Sequence, residues 1–233
     1  MSNMKIASWI YLKSPPKRII SLGFPFKSMR QRRFKLILCD LGNVLVKFDH
    51  RIAVKKILKF TDKDSDEVYQ LFFDSLLTKD FEEGRISSRL FFKRLADKLQ
   101  LKGLTFKKFV SIWNDIFFDN KGMVTLLRRL KKNYRLHLIS NINELHYDFI
   151  LQKFPEYLSL FDDIILSYQV GRRKPHQAIY RRAMKGTGVH PQEVLYVDDR
   201  LDLIQEARKL KIKTLLFKNI RDFKQQLKRL ELL

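Results

Sequence analysis

The sequence predicts an α/β fold in which a parallel sheet, covered by helices on both faces, is interrupted after its first strand by an inserted module of four helices. Two observations predict this architecture. Short apolar runs of strand length alternate with segments of helical periodicity, and one long interval, residues 49–120, carries helical patterns only. Alternation of this kind is typical of βαβ units, whose parallel strands are buried on both faces.

Five apolar runs are the predicted strands. They are Phe34–Leu41, Tyr134–Ser140, Asp163–Ser167, Glu193–Asp199 and Ile212–Phe217. The helices predicted between them are Met123–Lys132, Glu144–Lys153, Ala178–Lys185 and Leu201–Leu210. This order indicates one parallel sheet with its crossover helices.

The interval 49–120 reads as about four amphipathic helices. They are Arg51–Lys59, Asp64–Leu77, Ser87–Leu99 and Thr105–Phe118. Asp64 with Glu67 three residues later is a variant capping box, and Ser87 is a predicted N-cap. The aromatic residues of this interval recur at helical spacing, which indicates a packed core rather than a cofactor site.

These patterns divide the chain into a basic N-terminal arm (1–33), a core (34–48 and 121–233) and a helical cap (49–120). The arm holds eight basic residues and no acidic one, and its prolines exclude a single helix. We predict that it is disordered. A weak membrane-surface anchor and an extension upstream of a natural start at Met29 are the alternatives.

The composition is that of a globular chain. With 233 residues, 45% hydrophobic and 31% charged, the protein is neither disordered nor a disulfide scaffold. Its single cysteine, Cys39, forms no intramolecular disulfide and suggests a reducing compartment, so we expect a cytoplasmic protein. No stretch approaches the roughly 20 apolar residues that span a bilayer.

The net charge of +22 is unusual. Such a field attracts nucleic acid, acidic lipid headgroups or phosphorylated metabolites. A solvated basic surface, typical of a lysine-rich proteome, explains it equally well. The sequence contains no recognisable nucleic-acid-binding motif, so no specific nucleic-acid partner is expected.

Polar residues stand at the carboxyl ends of four predicted strands, where open parallel sheets bind ligands. They are Asp40, Gly42 and Asn43 at the first strand, Ser140 and Asn141 at the second, Gly171, Arg172, Arg173 and Lys174 after the third, and Asp198 and Asp199 at the fourth. Clustered carboxylates repel unless a cation intervenes, and oxygen ligands suit Mg²⁺. The lysine and hydroxyl suit a phosphate. Each residue alone could be a helix cap or a surface residue. The presence of such residues at all four strand ends favours a binding site for Mg²⁺ and phosphate.

These residues carry a resemblance to a known family. The segments D-L-G-N-V-L at 40–45, L-I-S-N at 138–141, G-R-R-K-P-H-Q-A-I-Y at 171–180 and Y-V-D-D at 196–199 resemble motifs I to IV of the haloacid dehalogenase-like hydrolase superfamily. Their order and the helical insertion resemble the subfamily with a small helical cap, in particular members similar to bacterial α-glucose-1-phosphate phosphatase. The resemblance covers about Phe34 to Phe217 and implies a Rossmann-like core.

The resemblance also implies a mechanism. Asp40 would attack phosphorus and form an aspartyl-phosphate, which water then hydrolyses. Mg²⁺ would be held by Asp40, the backbone carbonyl of Gly42 and a motif IV aspartate, with Asp199 as the favoured direct ligand and Asp198 in support. The substrate phosphate would be held by the hydroxyl of Ser140, Lys174 and the polar groups of Asn43 and Asn141.

Three positions depart from the family pattern. Gly42 replaces the second aspartate that usually serves as acid and base, a change that the most similar subfamily often shares. Leu203 replaces an Asn or Asp four residues after the metal ligand, where Asp202 could substitute. His176 replaces the usual Asp after Lys-Pro.

We therefore predict a Mg²⁺-dependent phosphatase that acts on a small phosphorylated metabolite, with a sugar phosphate as the candidate. A dehalogenase-type hydrolase that uses the same Asp40 and a catalytically weak relative that binds an anionic partner are the alternatives. Candidate pocket residues from the cap are Phe48, His50, Arg85 and Trp113. The sequence does not predict the oligomeric state.

Overall fold

The computed structural model describes residues 33–233, so the prediction for the basic arm, over residues 1–32, lies outside the described residues. The strands are β1 Leu36–Cys39, β2 Lys47–Phe48, β3 Phe117–Phe118, β4 Arg135–Ser140, β5 Asp163–Leu166, β6 Val194–Asp198 and β7 Lys213–Leu216. Five of them form one sheet in the order β5-β4-β1-β6-β7. Every pairing in this sheet is parallel, which confirms the predicted α/β, Rossmann-like fold.

Helices flank this sheet and fill the insertion. They are α1 Arg51–Ile57, α2 Ser65–Phe73, α3 Leu76–Glu82, α4 Ser88–Leu99, α5 Phe106–Asn114, α6 Lys121–Lys131, α7 Glu144–Lys153, α8 Pro155–Leu158, α9 Ser167–Val170, α10 Gln177–Met184, α11 Leu201–Lys209 and α12 Ile220–Arg229. Single 3₁₀ turns lie at Leu58–Phe60 and Pro191–Glu193. The described residues contain no helix that is long and apolar enough to cross a membrane.

The sheet is buried on both faces. On one face, Leu36 and Leu38 pack in a cluster with Ile179 of α10 and Ile204 of α11. On the other face, Ile37 belongs to a larger cluster that continues into the inserted helices. Because β1 is covered on both sides, all four of its residues are fully buried, as the continuous apolar run predicts.

The insertion contains five α-helices rather than the predicted four, because the predicted helix over 64–77 is divided. Ser75 has extended backbone angles, and its hydroxyl accepts a hydrogen bond from the Thr78 N–H at 3.1 Å, so it begins a new helix, α3. The predicted capping box of α2 is present, with Asp64 and Glu67 bonding each other's backbone N–H groups. The predicted N-cap Ser87 likewise accepts from the Leu90 N–H.

The structure also contains short strands and several helices that were not predicted. The interval 49–120 was expected to contain no strand, but Phe117–Phe118 pairs antiparallel with Lys47–Phe48 where the chain leaves and re-enters the core. A two-residue strand is too short to show alternation. The final helix α12 is capped by Asn219, which accepts from the Asp222 N–H at 2.9 Å.

Candidate active site

The carboxyl ends of β1, β4 and β6 lie side by side, because these strands are adjacent and parallel. A cavity of about 570 Å³ opens at this edge, between the sheet and the inserted helices. All eight site residues predicted from the sequence line it: Asp40, Gly42, Asn43, Ser140, Asn141, Lys174, Asp198 and Asp199. The parallel topology therefore brings together four segments that are far apart in the chain.

Lys174 is the buried cation of the site. Its ammonium group lies 2.5 Å from Asp40 Oδ1, 2.8 Å from Asp198 Oδ2 and 3.2 Å from the carbonyl oxygen of Ile139. Three donors thus meet three acceptors, which is the satisfied state for a buried ammonium. Burial alone would lower the pKa of Lys174, but the charges of Asp198 and Asp40 raise it above its usual value, so the side chain stays protonated.

Asp40, Asp198 and Asp199 form an acidic cluster in which one carboxylate oxygen of each lies within 4.8 Å of the others. Asp198 is fully buried and fully engaged: it accepts from Lys174, from the Tyr196 hydroxyl and from the Arg200 N–H at 2.9 Å. Asp199 is only partly buried and borders the cavity. Of the two motif IV acids, Asp199 therefore has the carboxylate with more freedom to bind a ligand.

Burial and the charges within the cluster shift the pKa values of its carboxyl groups. Burial raises the pKa of Asp40 to about 7; Lys174 opposes this rise, and Asp198 adds to it. Burial and the charge of Asp198 likewise raise the pKa of Asp199, while a hydrogen bond from Asn43 opposes the rise. Three carboxylates around one ammonium carry a net negative charge when all are ionised. A bound divalent cation would balance this charge and keep the carboxylates deprotonated.

Asn141 fixes the position of Lys174. Its side-chain oxygen accepts from the Lys174 N–H at 2.7 Å, and its amide donates to the Lys174 carbonyl at 3.0 Å. The Asn141 side chain is thus fully used in binding the backbone of Lys174. A contact between residue 141 and a phosphate would therefore be made by the backbone N–H of Asn141. The Ser140 hydroxyl is buried and makes a long hydrogen bond, 3.4 Å, to the Asn141 carbonyl.

Gly42, the first departure from the family pattern, has the ring of Phe48 as a close neighbour. A Cβ atom at Gly42 would lie 2.7 Å from Cε1 of Phe48, which is closer than real contacts allow. The aromatic ring of Phe48 therefore occupies the space of an acid at this position.

The other two departures have structural explanations. His176 is the N-cap of α10, and its Nδ1 accepts from the Ala178 N–H at 3.1 Å. Leu203 is buried against the cavity. Asp202, the suggested substitute, accepts two hydrogen bonds from the Arg200 guanidinium instead.

One wall of the cavity is a stack of four nearly parallel rings, in the order His50, Phe73, Trp113 and His146. Successive ring centroids are 3.7, 5.4 and 4.8 Å apart, with interplanar angles of 6°, 8° and 16°. Burial lowers the pKa of His50 to about 4 and that of His146 to about 3, so both imidazoles are neutral near pH 7. The wall is therefore aromatic and uncharged.

Other residues of the cavity lining are charged. Glu82, at the end of α3, pairs with Arg173 at 2.6 Å, and both side chains are about four-fifths buried. Burial raises the pKa of Glu82, and the charges of Arg173 and Arg200 oppose that rise. Arg85 does not line the cavity, contrary to expectation, because its guanidinium pairs with Asp80 and Glu83.

Of the predicted cap residues, Phe48, His50 and Trp113 do line the cavity. Sequence analysis missed Glu82, Phe73 and His146. Glu82 lies in the segment F-E-E-G-R-I-S at 81–87, which resembles a less specific stretch of the same family. Phe73 and His146 lie within predicted helices, and a helical pattern does not indicate which buried residues meet a cavity.

The chain belongs to the haloacid dehalogenase-like hydrolase family, which matches residues 35–217. The D-ribitol-5-phosphate phosphatase of Bacteroides thetaiotaomicron is 29% identical over 201 residues, covering 83% of this chain and 96% of that protein. The glyceraldehyde 3-phosphate phosphatase of Pyrococcus furiosus is 34% identical over 96 residues, covering 40% of this chain and 39% of that protein.

The fold is also found among solved structures. A haloacid dehalogenase family enzyme from Bacteroides thetaiotaomicron, crystallised with magnesium and inorganic phosphate, superposes with a TM-score of 0.70 at 25% identity. The match covers 79% of this chain and 94% of that one. The family resemblance read from the four motifs is thus confirmed, while the finer similarity to α-glucose-1-phosphate phosphatase stays a prediction.

Proposed function

We propose that this protein is a Mg²⁺-dependent phosphatase that hydrolyses a small phosphorylated metabolite through an aspartyl-phosphate on Asp40. The observation that carries the proposal is the contact of Lys174 with both Asp40 and Asp198, beside the half-buried carboxylate of Asp199. This arrangement puts a nucleophilic carboxylate, a fixed cation and an excess of oxygen ligands at one point of the cavity.

The residues present fit a magnesium ion. Its donors would be the carboxylates of Asp40 and Asp199 and the backbone carbonyl of Gly42, with Asp198 in support, and hard oxygen ligands are those that Mg²⁺ prefers. When bound, the ion would neutralise charge on the phosphoryl oxygens and on the nucleophile. The relative crystallised with magnesium and phosphate supports this choice of metal.

Asp40 would act as the nucleophile. Lys174 contacts its Oδ1 and so holds the carboxylate in one orientation, with Oδ2 free to attack phosphorus as the bond to the leaving alcohol breaks. Water then attacks phosphorus, phosphate leaves and the Asp40 carboxylate is regenerated. The Ser140 hydroxyl, Lys174 and the Asn141 backbone N–H would bind the phosphoryl oxygens, while Asn43 would bind substrate beside Asp199.

The substrate would be small, because the cavity holds about 570 Å³. The two phosphatases compared above act, by their names, on the phosphates of a five-carbon sugar alcohol and a three-carbon aldose. We therefore take sugar and sugar-alcohol phosphates as the first candidates. Cytoplasmic location stays a prediction from the single cysteine.

The dehalogenase alternative is less well supported, because its attack on carbon would give the acidic cluster at Asp199 no role. A phosphate-release screen over such metabolites, with and without Mg²⁺, tests the proposal. We expect Mg²⁺-dependent release that Asp40→Asn abolishes. Release without Mg²⁺ would contradict the metal dependence, and release from no substrate at all would contradict the proposal and favour the weak binding relative.

A further inference from the structure

The cavity is acidic although the chain as a whole carries +22. Five carboxylates and three cationic side chains line it. The carboxylates belong to Asp40, Asp74, Glu82, Asp198 and Asp199, and the cations to Arg173, Lys174 and Arg200. With a bound Mg²⁺ and a substrate phosphate, the cavity would still carry no net positive charge. The excess of basic residues in the chain therefore does not extend into this cavity.

Each cation that lines the cavity has an acidic partner among residues 33–233. Lys174 pairs with Asp40 and Asp198, and Arg173 pairs with Glu82. Arg200 pairs with a carboxylate outside the cavity, Asp202, at 2.6 Å. The Glu82–Arg173 pair is about four-fifths buried, whereas the Arg200 pair is about half exposed. Burial makes the first pair costly to separate, and solvent makes the second weak.

The backbone around Glu82 is held firmly against the core. The Glu82 carbonyl accepts from the Ser167 hydroxyl at 2.6 Å. The Glu83 side chain accepts from the Arg173 N–H at 3.0 Å. Gly84, at a φ of +67°, lies so close that a Cβ there would be 2.3 Å from the Tyr168 carbonyl oxygen. The end of α3 is thus fixed beside the segment that carries Arg173 and Lys174.

We propose that Glu82 is a specificity-determining residue that selects phosphomonoesters whose organic part is uncharged. By pairing with Arg173, it removes the buried cation that could receive a second carboxylate or phosphate group. A second anion would therefore be desolvated without a partner, which is unfavourable.

The aromatic wall of the cavity suits the same substrates. The stacked rings of His50, Phe73, Trp113 and His146 carry no charge near pH 7 and can pack against the C–H faces of a sugar or polyol. A neutral polyol phosphate would thus meet both aromatic faces and charged hydrogen-bonding groups in this cavity. The inference deepens the proposed function and rests on it.

A matched pair of esters tests this inference: ribitol 5-phosphate and ribonate 5-phosphate differ only in carrying CH₂OH or carboxylate at the far end. Each competes with p-nitrophenyl phosphate, whose Mg²⁺-dependent turnover reports the proposed function separately. We expect the wild type to bind the ribitol ester at least about tenfold more tightly. Equal competition by the two esters would overturn the inference without any variant, even with p-nitrophenyl phosphate turnover intact.

Variants then assign the effect to Glu82. Glu82→Gln leaves Arg173 unpaired, so we expect the preference to fall about tenfold, chiefly through tighter binding of the ribonate ester. Asp80→Asn, the same chemical change on an exposed pair of α3, is the matched control and should keep the wild-type preference. If Glu82→Gln keeps the preference, the inference is wrong. If Asp202→Asn removes the preference instead, the pair of Arg200 with Asp202 is the selector, which also contradicts the inference.

Discussion

The ring of Phe48 occupies the position that a side chain on Gly42 would need, 2.7 Å from the ideal Cβ. An acid at position 42 would therefore require the ring of Phe48 to move. His50, a cap residue whose ring lies 4.6 Å from that of Phe48, is neutral near pH 7 because burial lowers its pKa to about 4. Its imidazole therefore has no readily released proton for a leaving alcohol.

We predict that turnover by the wild type depends steeply on the pKa of the leaving alcohol. A general acid is worth about 10²–10⁴ in rate, and it matters most for poor leaving groups. Among esters that this site accepts, aryl phosphates should therefore react fastest, sugar 1-phosphates more slowly, and primary-alcohol phosphates, ribitol 5-phosphate included, most slowly. The measurement is log turnover against leaving-group pKa at saturating substrate. A flat line in the wild type would show that another group supplies the proton.

The double variant Gly42→Asp/Phe48→Ala should flatten this dependence, because it supplies an acid and makes room for it. Phe48→Ala alone is the matched control and should keep the steep slope. Gly42→Asp alone is expected to perturb the cavity, since the ring must move. A double variant that keeps the wild-type slope would contradict this role for the Phe48–Gly42 contact.

The affinity for Mg²⁺ should depend on Asp199 more than on the neighbouring carboxylate of Asp202. We expect chelation to abolish turnover and Mg²⁺ to restore it. Asp199→Asn should raise the Mg²⁺ concentration for half activity by at least about tenfold. Asp202→Asn, a carboxylate that pairs with Arg200 only at the cavity edge, should leave that concentration near the wild-type value. Equal shifts in the two variants would argue against Asp199 as a direct ligand.

The buried His146 should make the fold sensitive to acid. It is held by the Trp113 carbonyl at 3.1 Å and by Asn143, and burial, with a smaller contribution from His50, lowers its pKa to about 3. The folded state thus resists protonation, whereas the unfolded histidine takes up a proton below about pH 6.5. Its contribution to stability is present above that pH and is lost as the pH falls towards 3.

We therefore expect the free energy of unfolding to fall between pH 7 and pH 5 with a contribution from His146 of up to about 1.4 kcal/mol per pH unit. His146→Gln should be less stable at pH 7 but should lose less stability over this range. Denaturant unfolding of both proteins at several pH values measures the difference. Parallel pH dependences would show that His146 does not titrate as the geometry requires.

The sequence predicts the sheet and the reacting groups because both depend on local signals. Asp40, Ser140 and Asp198 end apolar runs, and parallel topology alone places such ends at one edge. The helix break at Ser75 was missed because a serine cap inside an amphipathic pattern looks like continued helix. Glu82 and Arg173 meet across 91 positions of sequence, and that pairing depends on how the inserted helices pack on the core.

The most direct test of the account is the turnover of Asp40→Asn with Mg²⁺ on a substrate that the wild type hydrolyses. The amide keeps the size of the side chain and leaves Lys174 paired with Asp198, so the melting temperature should report an intact fold. The account predicts a loss of turnover of at least about 10³-fold, because the nucleophile is gone. Turnover within about tenfold of the wild type, in a folded variant, would contradict it.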